Sequence, residues 1–142
     1  MKILFLIFLF LFSCSSSKNT LPPIEVRDLA GREVKLSSLK GSNVVLYVWS
    51  KTCVGHTKDL KRLRELVVEH PDYRVISYAI AMDVEDVKKS YQELNIEPNF
   101  MTLVDTAVKF NDYFPITFLP STYIFDKRGK LVASYPGLPL SF

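Results

Sequence analysis

Cysteine is nearly absent from this 142-residue chain, which carries only Cys14 and Cys53, and histidine is as scarce, with His56 and His70. Two cysteines far apart exclude a disulfide-stapled miniature fold, and so few sulfurs and imidazoles exclude a Cys/His-rich zinc module. No apolar run reaches the about 20 residues that a membrane-spanning helix needs. The five glycines and eight prolines are dispersed, so the chain is neither collagen-like nor of low complexity. Charge of one sign is also missing: the formal net charge is +3, and lysines and arginines are interleaved with acids. Such a balance gives no argument for nucleic acid as a partner. What is present is 48% hydrophobic residues, enough for one domain with a sizeable core.

The first residues are of a different kind. Lys2 precedes an uninterrupted apolar run from Ile3 to Phe12, followed by Ser13 and Cys14, which is the form of a secretory signal. The order Leu11, Phe12, Ser13, Cys14 resembles the bacterial lipobox, although Phe12 is bulkier than the residue usual there. That resemblance implies cleavage before Cys14 and acylation of its sulfur; an ordinary secretory signal or an uncleaved anchor is the alternative. Residues 1–13 are therefore read as a lipoprotein signal peptide, 14–23 as a lipidated cysteine with a polar tether, and 24–142 as one folded domain. The expected location is the bacterial cell envelope, with the protein anchored in a membrane by its acyl chains and facing the periplasm or the exterior. Cys53 is then the one free thiol of the mature chain, in an oxidising compartment.

Hydrophobic periodicity organises the rest. Ile24 to Leu36 alternates around Gly31 and reads as a hairpin. Val44 to Trp49 is a continuous apolar run, as expected of a strand covered on both faces. Leu60, Leu63, Leu66 and Val67 recur at helical spacing, so an amphipathic helix runs from at or near Cys53 to about His70, with Pro71 ending it. Tyr73 to Met82 is a second buried strand, and Asp83 caps a helix to about Leu94 that turns Val84, Val87, Tyr91 and Leu94 inward. Met101 to Val104 is a short strand, and Asp105 caps one more short helix, Thr106 to Tyr113. Ser121 to Phe125 and Lys130 to Ser134 form a closing hairpin. Strands alternating with helices, flanked by hairpins, give a three-layer α/β sandwich around a mixed sheet.

Across about Ile24 to Gly137 this chain resembles the TlpA/ResA branch of the thioredoxin-like (AhpC/TSA-redoxin) family. The resemblance lies in GREVKLSSL, beginning at Gly31, in VVLYVWSKTCVGH around Cys53, in the acidic Asp83 after a core strand, and in FLPSTYIFDKRGKLV. It implies a thioredoxin-like fold and thiol-disulfide exchange with a protein or small-thiol disulfide partner; no cofactor and no metal are expected. It also implies a catalytic cysteine at Cys53 and a cis-proline at Pro120, beside which an extended substrate pairs. Three departures stand out: His56 replaces the second cysteine of Cys-x-x-Cys, Lys51 and Thr52 replace a small residue and tryptophan, and Val54 and Gly55 replace the usual proline-containing pair. The final helix of the family is also lacking before Phe142, which leaves part of one sheet face to be covered by something else.

A thiolate attacking a disulfide forms a mixed disulfide that a second thiol normally expels. Lacking that thiol, Cys53 fits a monothiol route in which another molecule resolves the adduct. In the family fold Cys53 starts a helix, whose dipole favours the anion. His56, three residues on, is either a partner for that thiolate or a half-exposed residue filling the place of the lost cysteine. Trp49 and Tyr47 are read as core, and His70 as a helix-terminal residue suited to the dipole. Cys53 and His56 alone are too few ligands for a closed metal site. Other readings are a non-catalytic binding lipoprotein, a metal-handling protein and a one-cysteine peroxidase, the last disfavoured by Leu46 and Ser50, which stand where the peroxiredoxin family has proline and threonine.

Overall fold

The computed structural model describes residues 19–53 and 55–142; the signal-like stretch, Cys14 and Val54 lie outside the described residues. The hairpin at the start is β1 (Glu25–Asp28) and β2 (Glu33–Lys35), paired antiparallel. Its turn is closed by the Asp28 carboxylate, which accepts from the main-chain N–H of Ala30 and of Arg32 at 2.9 Å each. Gly31 supplies the positive φ of 79° that the reversal needs. The apolar run becomes β3 (Asn43–Trp49), followed by α1 (His56–Glu69), β4 (Tyr73–Ile80), α2 (Val84–Glu93) and β5 (Met101–Asp105). The closing pair is β6 (Ser121–Phe125) and β7 (Leu131–Pro136).

These strands form one seven-stranded sheet in the order β2-β1-β5-β4-β3-β6-β7, parallel between β3, β4 and β5 and antiparallel elsewhere. The fold is the expected α/β sandwich, a mixed sheet of thioredoxin type. The distribution of its layers follows from chain order. From β3 to β4 to β5 the chain steps the same way across the sheet twice, and right-handed crossovers then place both helices on one face. On that face Leu60, Leu63 and Leu66 of α1 and Val87 and Tyr91 of α2 pack on Val45, Tyr47 and Trp49. The opposite face is closed by extended chain and 3-10 turns that bring Leu21, Leu36, Leu39, Phe110 and Phe114 onto Leu46, Val48 and Tyr78.

One expected helix is absent. Residues 106–113 form only a 3-10 turn, Lys109–Asp112, because Val108 adopts a left-handed conformation (φ 55°, ψ 42°) that interrupts a regular helix. Asp105 still satisfies its start, accepting from the N–H of Lys109 and of Phe110 at 2.9 Å each, and it accepts from the Tyr78 hydroxyl at 2.8 Å. The cap predicted at Asp83 is present as a capping box with Asp86: each side chain accepts from the other's main-chain N–H.

The region expected to be less covered is partly closed by the chain itself. After β7 the tail turns back, and Leu138 and Phe142 pack on the core that α1 shares. The Phe142 ring stacks on His70 with centroids 4.7 Å apart, and Arg62 donates to the Leu140 carbonyl at 3.4 Å. Among the described residues no helix is long and apolar enough to cross a membrane.

Candidate active site

Strand β3 ends at Trp49, and the chain then makes a tight turn before α1. Cys53 donates its main-chain N–H to the Ser50 carbonyl at 3.0 Å, and the Ser50 N–H donates back to the Cys53 sulfur at 3.1 Å. Helix α1 starts three residues later than Cys53, behind Gly55, whose φ of 85° places the N-cap in the left-handed region. The cysteine therefore precedes the helix rather than opening it, and the hydrogen bond to its sulfur comes from the backbone of the turn. Burial pushes the Cys53 thiol up from its ordinary value, and the Ser50 N–H opposes this only in part. The expectation that the helix terminus favours the thiolate is thus corrected: desolvation outweighs the local donor.

His56 is the first residue of α1. Its Nδ1 lies 2.8 Å from the Cys53 carbonyl oxygen and donates to it, and its ring stacks on the Trp49 indole at 5.4 Å with planes 9° apart. In the neutral ring the proton is then on Nδ1, and Nε2 is the acceptor. His56 is thus held by a main-chain carbonyl, and it makes no hydrogen bond to the sulfur. Trp49 and Tyr47 are fully buried, as read from the sequence, yet both also build the site. The indole is the floor under His56 and stacks on Tyr91 behind it. It donates to Ser77 Oγ at 2.8 Å, and the Tyr91 hydroxyl joins Ser77 to Thr102. The Tyr47 hydroxyl donates to Asp59 of α1 at 2.7 Å, and burial together with that carboxylate holds it protonated.

The Leu119–Pro120 peptide bond is cis. Ser121 pairs with Val48, so Pro120 stands at the same end of the sheet as the Ser50–Cys53 turn, with its carbonyl accepting from the Gly137 N–H at 2.7 Å. Phe118 and Leu119, just before it, are exposed. The structure thus brings Cys53 and His56 into direct contact and sets Pro120 just before the adjacent strand β6, whereas His70 sits at the far end of α1 against Tyr73 and Phe142. Among the described residues no group of three or more His, Cys, Asp or Glu side chains could hold a metal ion. Sequence reasoning missed Asp59, whose only signal was an acid on the helix facing a buried tyrosine, and the Ser50 N–H, which has no side-chain signal at all.

A raised thiol has a measurable signature. Alkylation of Cys53 by iodoacetamide should accelerate steadily with pH and reach half its maximum above the about 8.5 of a free cysteine. A plateau reached near neutral pH contradicts this environment.

The signature of the AhpC/TSA family matches residues 18–134. The chain is 26% identical over 116 residues to the thiol-disulfide oxidoreductase ResA of Bacillus cereus, spanning 82% of this chain and 67% of that one. Among solved structures, one from Chlorobium tepidum assigned as the thiol:disulfide interchange protein DsbE superposes with a TM-score of 0.75 at 18% identity, covering 86% of each chain. The exposed lipoprotein thioredoxin of Streptococcus pneumoniae superposes with a TM-score of 0.69 at 27% identity, covering 82% of this chain and 90% of that one.

Proposed function

The chain belongs to the AhpC/TSA family, and from that membership we propose that it performs thiol-disulfide exchange by a monothiol route through Cys53. The observation that carries this reading is the sulfur's setting. Cys53 is half-buried beside a cis-proline strand end and is the only free cysteine among the described residues, with an imidazole where a resolving thiol would stand. No second thiol stands beside Cys53 among the described residues, so a partner captured on it stays until an outside thiol removes it. Pro120 positions the extended partner beside the sulfur in this reading. The resemblance to ResA and to an exposed lipoprotein thioredoxin supports an extracytoplasmic setting, with Cys14 as lipid anchor.

The test compares the full chain with Cys53→Ser. Incubated with a disulfide-containing protein near neutral pH, the parent chain should accumulate a mixed disulfide and reduce insulin poorly with a dithiol reductant, while the variant forms no adduct. A parent chain that forms none either sinks the exchange reading. The raised thiol pKa favours a second reading in that event, a binding lipoprotein that uses the fold as scaffold; a Cys53→Ser chain would then keep its cellular role. The anchor is tested separately: Cys14→Ser should move the protein from the membrane fraction to the soluble one, and unchanged fractionation removes the lipid from the proposal.

A further inference from the structure

Beside the active-site turn lies a cleft of about 240 Å³ between that turn and α2, lined by Lys51, His56, Asp86, Lys89, Ser90 and Glu93 together with Leu94. It is smaller than the about 300–1,000 Å³ of a drug-sized site. Its scale is that of a single amino acid. Its chemistry is also specific. Lys51 has no ion-pair partner among the described residues, and Lys89 reaches Glu93 only at 4.0 Å with both side chains exposed, so both ammonium groups are open to an incoming carboxylate. Glu93 is equally open to an ammonium group. Asp86 has one oxygen committed to the Asp83 N–H. His56 joins this cleft to the cysteine: Nδ1 is fixed on the Cys53 carbonyl, and Nε2 has no protein partner among the described residues. Cys53 itself does not line the cleft, so His56 is its link to the sulfur; a larger cleft of about 620 Å³ between α1 and the segment after α2 has no such histidine.

We propose that the cleft between the active-site turn and α2 binds the resolving molecule, a small zwitterionic thiol with one ammonium and one carboxylate group, such as an amino-acid thiol. This rests on the reading that Cys53 takes part in exchange. Lys51 and Lys89 hold the carboxylate and Glu93 the ammonium, which orients the sulfur toward residue 53. In the first step the Cys53 thiolate attacks a partner disulfide, forms the mixed disulfide and releases one partner sulfur as thiolate, which takes up a proton. The bound thiol then gives its proton to His56 Nε2, and its sulfur attacks the partner sulfur. A new disulfide forms between partner and small thiol, the bond to Cys53 breaks, and the departing Cys53 thiolate recovers the proton. One disulfide and one thiol enter and one of each leaves, so no outside oxidant or reductant is needed.

The test uses the full chain carrying an aromatic thionitrobenzoate on Cys53. It is challenged with cysteine, mercaptoethanol, cysteamine and mercaptoacetate, each rate being divided by that thiol's rate on the free symmetrical aromatic disulfide. Cysteine should lead the neutral, cationic and anionic thiols by about tenfold, the scale of two solvent-exposed ion pairs, and fall to the level of cysteamine in the Lys51→Ala/Lys89→Ala chain, where Glu93 still holds the ammonium. Parity in the parent, or a lead over cysteamine that survives the double change, overturns the proposal. If no adduct forms on Cys53, the exchange reading fails, and the cleft is judged alone by titrating the Cys53→Ser chain with S-methylcysteine. Saturable amide shifts at Lys51, Lys89 and Ser90 support it; their absence overturns it.

Discussion

In the His56→Cys chain, a partner held on Cys53 as a mixed disulfide is expected to be released by the protein itself. Position 56 opens α1 and stands near enough to Cys53 for the present imidazole to reach its carbonyl at 2.8 Å. A sulfur placed there sits on the residue whose ring already bonds to residue 53 across the turn, within reach of the adduct. Tethering raises its effective concentration to millimolar or more, so the adduct's lifetime should fall by about 100-fold or more relative to the parent chain without added thiol. An internal disulfide between positions 53 and 56 should form as the partner leaves. Intact mass measurement of a preformed adduct follows both species, and insulin reduction with a dithiol should appear in the same variant. An adduct as long-lived as the parent's, with no internal disulfide, would show that the two positions do not face one another. The change also removes the stack on Trp49, so some loss of local order accompanies the gain in chemistry.

Trp49→Ala is expected to cost about 3–5 kcal/mol of stability, the range for deleting a buried aromatic side chain. The indole is fully buried, fills the space between α2 and the sheet, and supplies the donor to Ser77 in a buried polar chain that continues through Tyr91 to Thr102. Removing it opens a cavity and takes a hydrogen bond from Ser77. A drop in urea midpoint gives the first measure, with Trp49→Phe losing less because a ring remains. The second measure is specific to the site. In the parent chain the His56 ring protons lie over the indole face and should resonate upfield; in Trp49→Ala they should return toward free-histidine positions. A stability loss below about 1 kcal/mol would contradict the packing described, since even a single buried methylene is worth nearly that.

Much of this structure could be read from local pattern. The unbroken run Val44 to Trp49, the Asp83 cap and the FLPSTYIF segment each carry their signal within a few residues, and each forms the predicted element. The helix expected after Asp105 failed for a reason no pattern displays: Val108, a residue that rarely adopts positive φ, does so here, and Phe110 and Phe114 after it pack on the sheet. The site was legible in its residues but less so in its interactions. Cys-x-x-His located the sulfur and the imidazole, and three-residue spacing brought them together. That His56 would serve a main-chain carbonyl and an indole, and not the sulfur, depends on how Trp49 is packed against α2. The pairing of Tyr47 with Asp59 was hidden because a tyrosine inside an apolar run reads as hydrophobe first. The cleft beside His56 joins Lys51 to Lys89, residues distant in sequence that meet only once the sheet is assembled.

The sulfur's hydrogen-bond donor is the main-chain N–H of Ser50, in a turn where Cys53 returns the bond through its own N–H. This insulates the thiol from mutation. A change of side chain at position 50 leaves the donor in place, and proline alone removes it, by having no N–H to give. The sulfur can therefore keep the same polar contact while every residue around it drifts, so that divergence in Cys-x-x-His proteins of this kind would register in the surrounding cleft and its charges long before it reached the hydrogen bond to the sulfur.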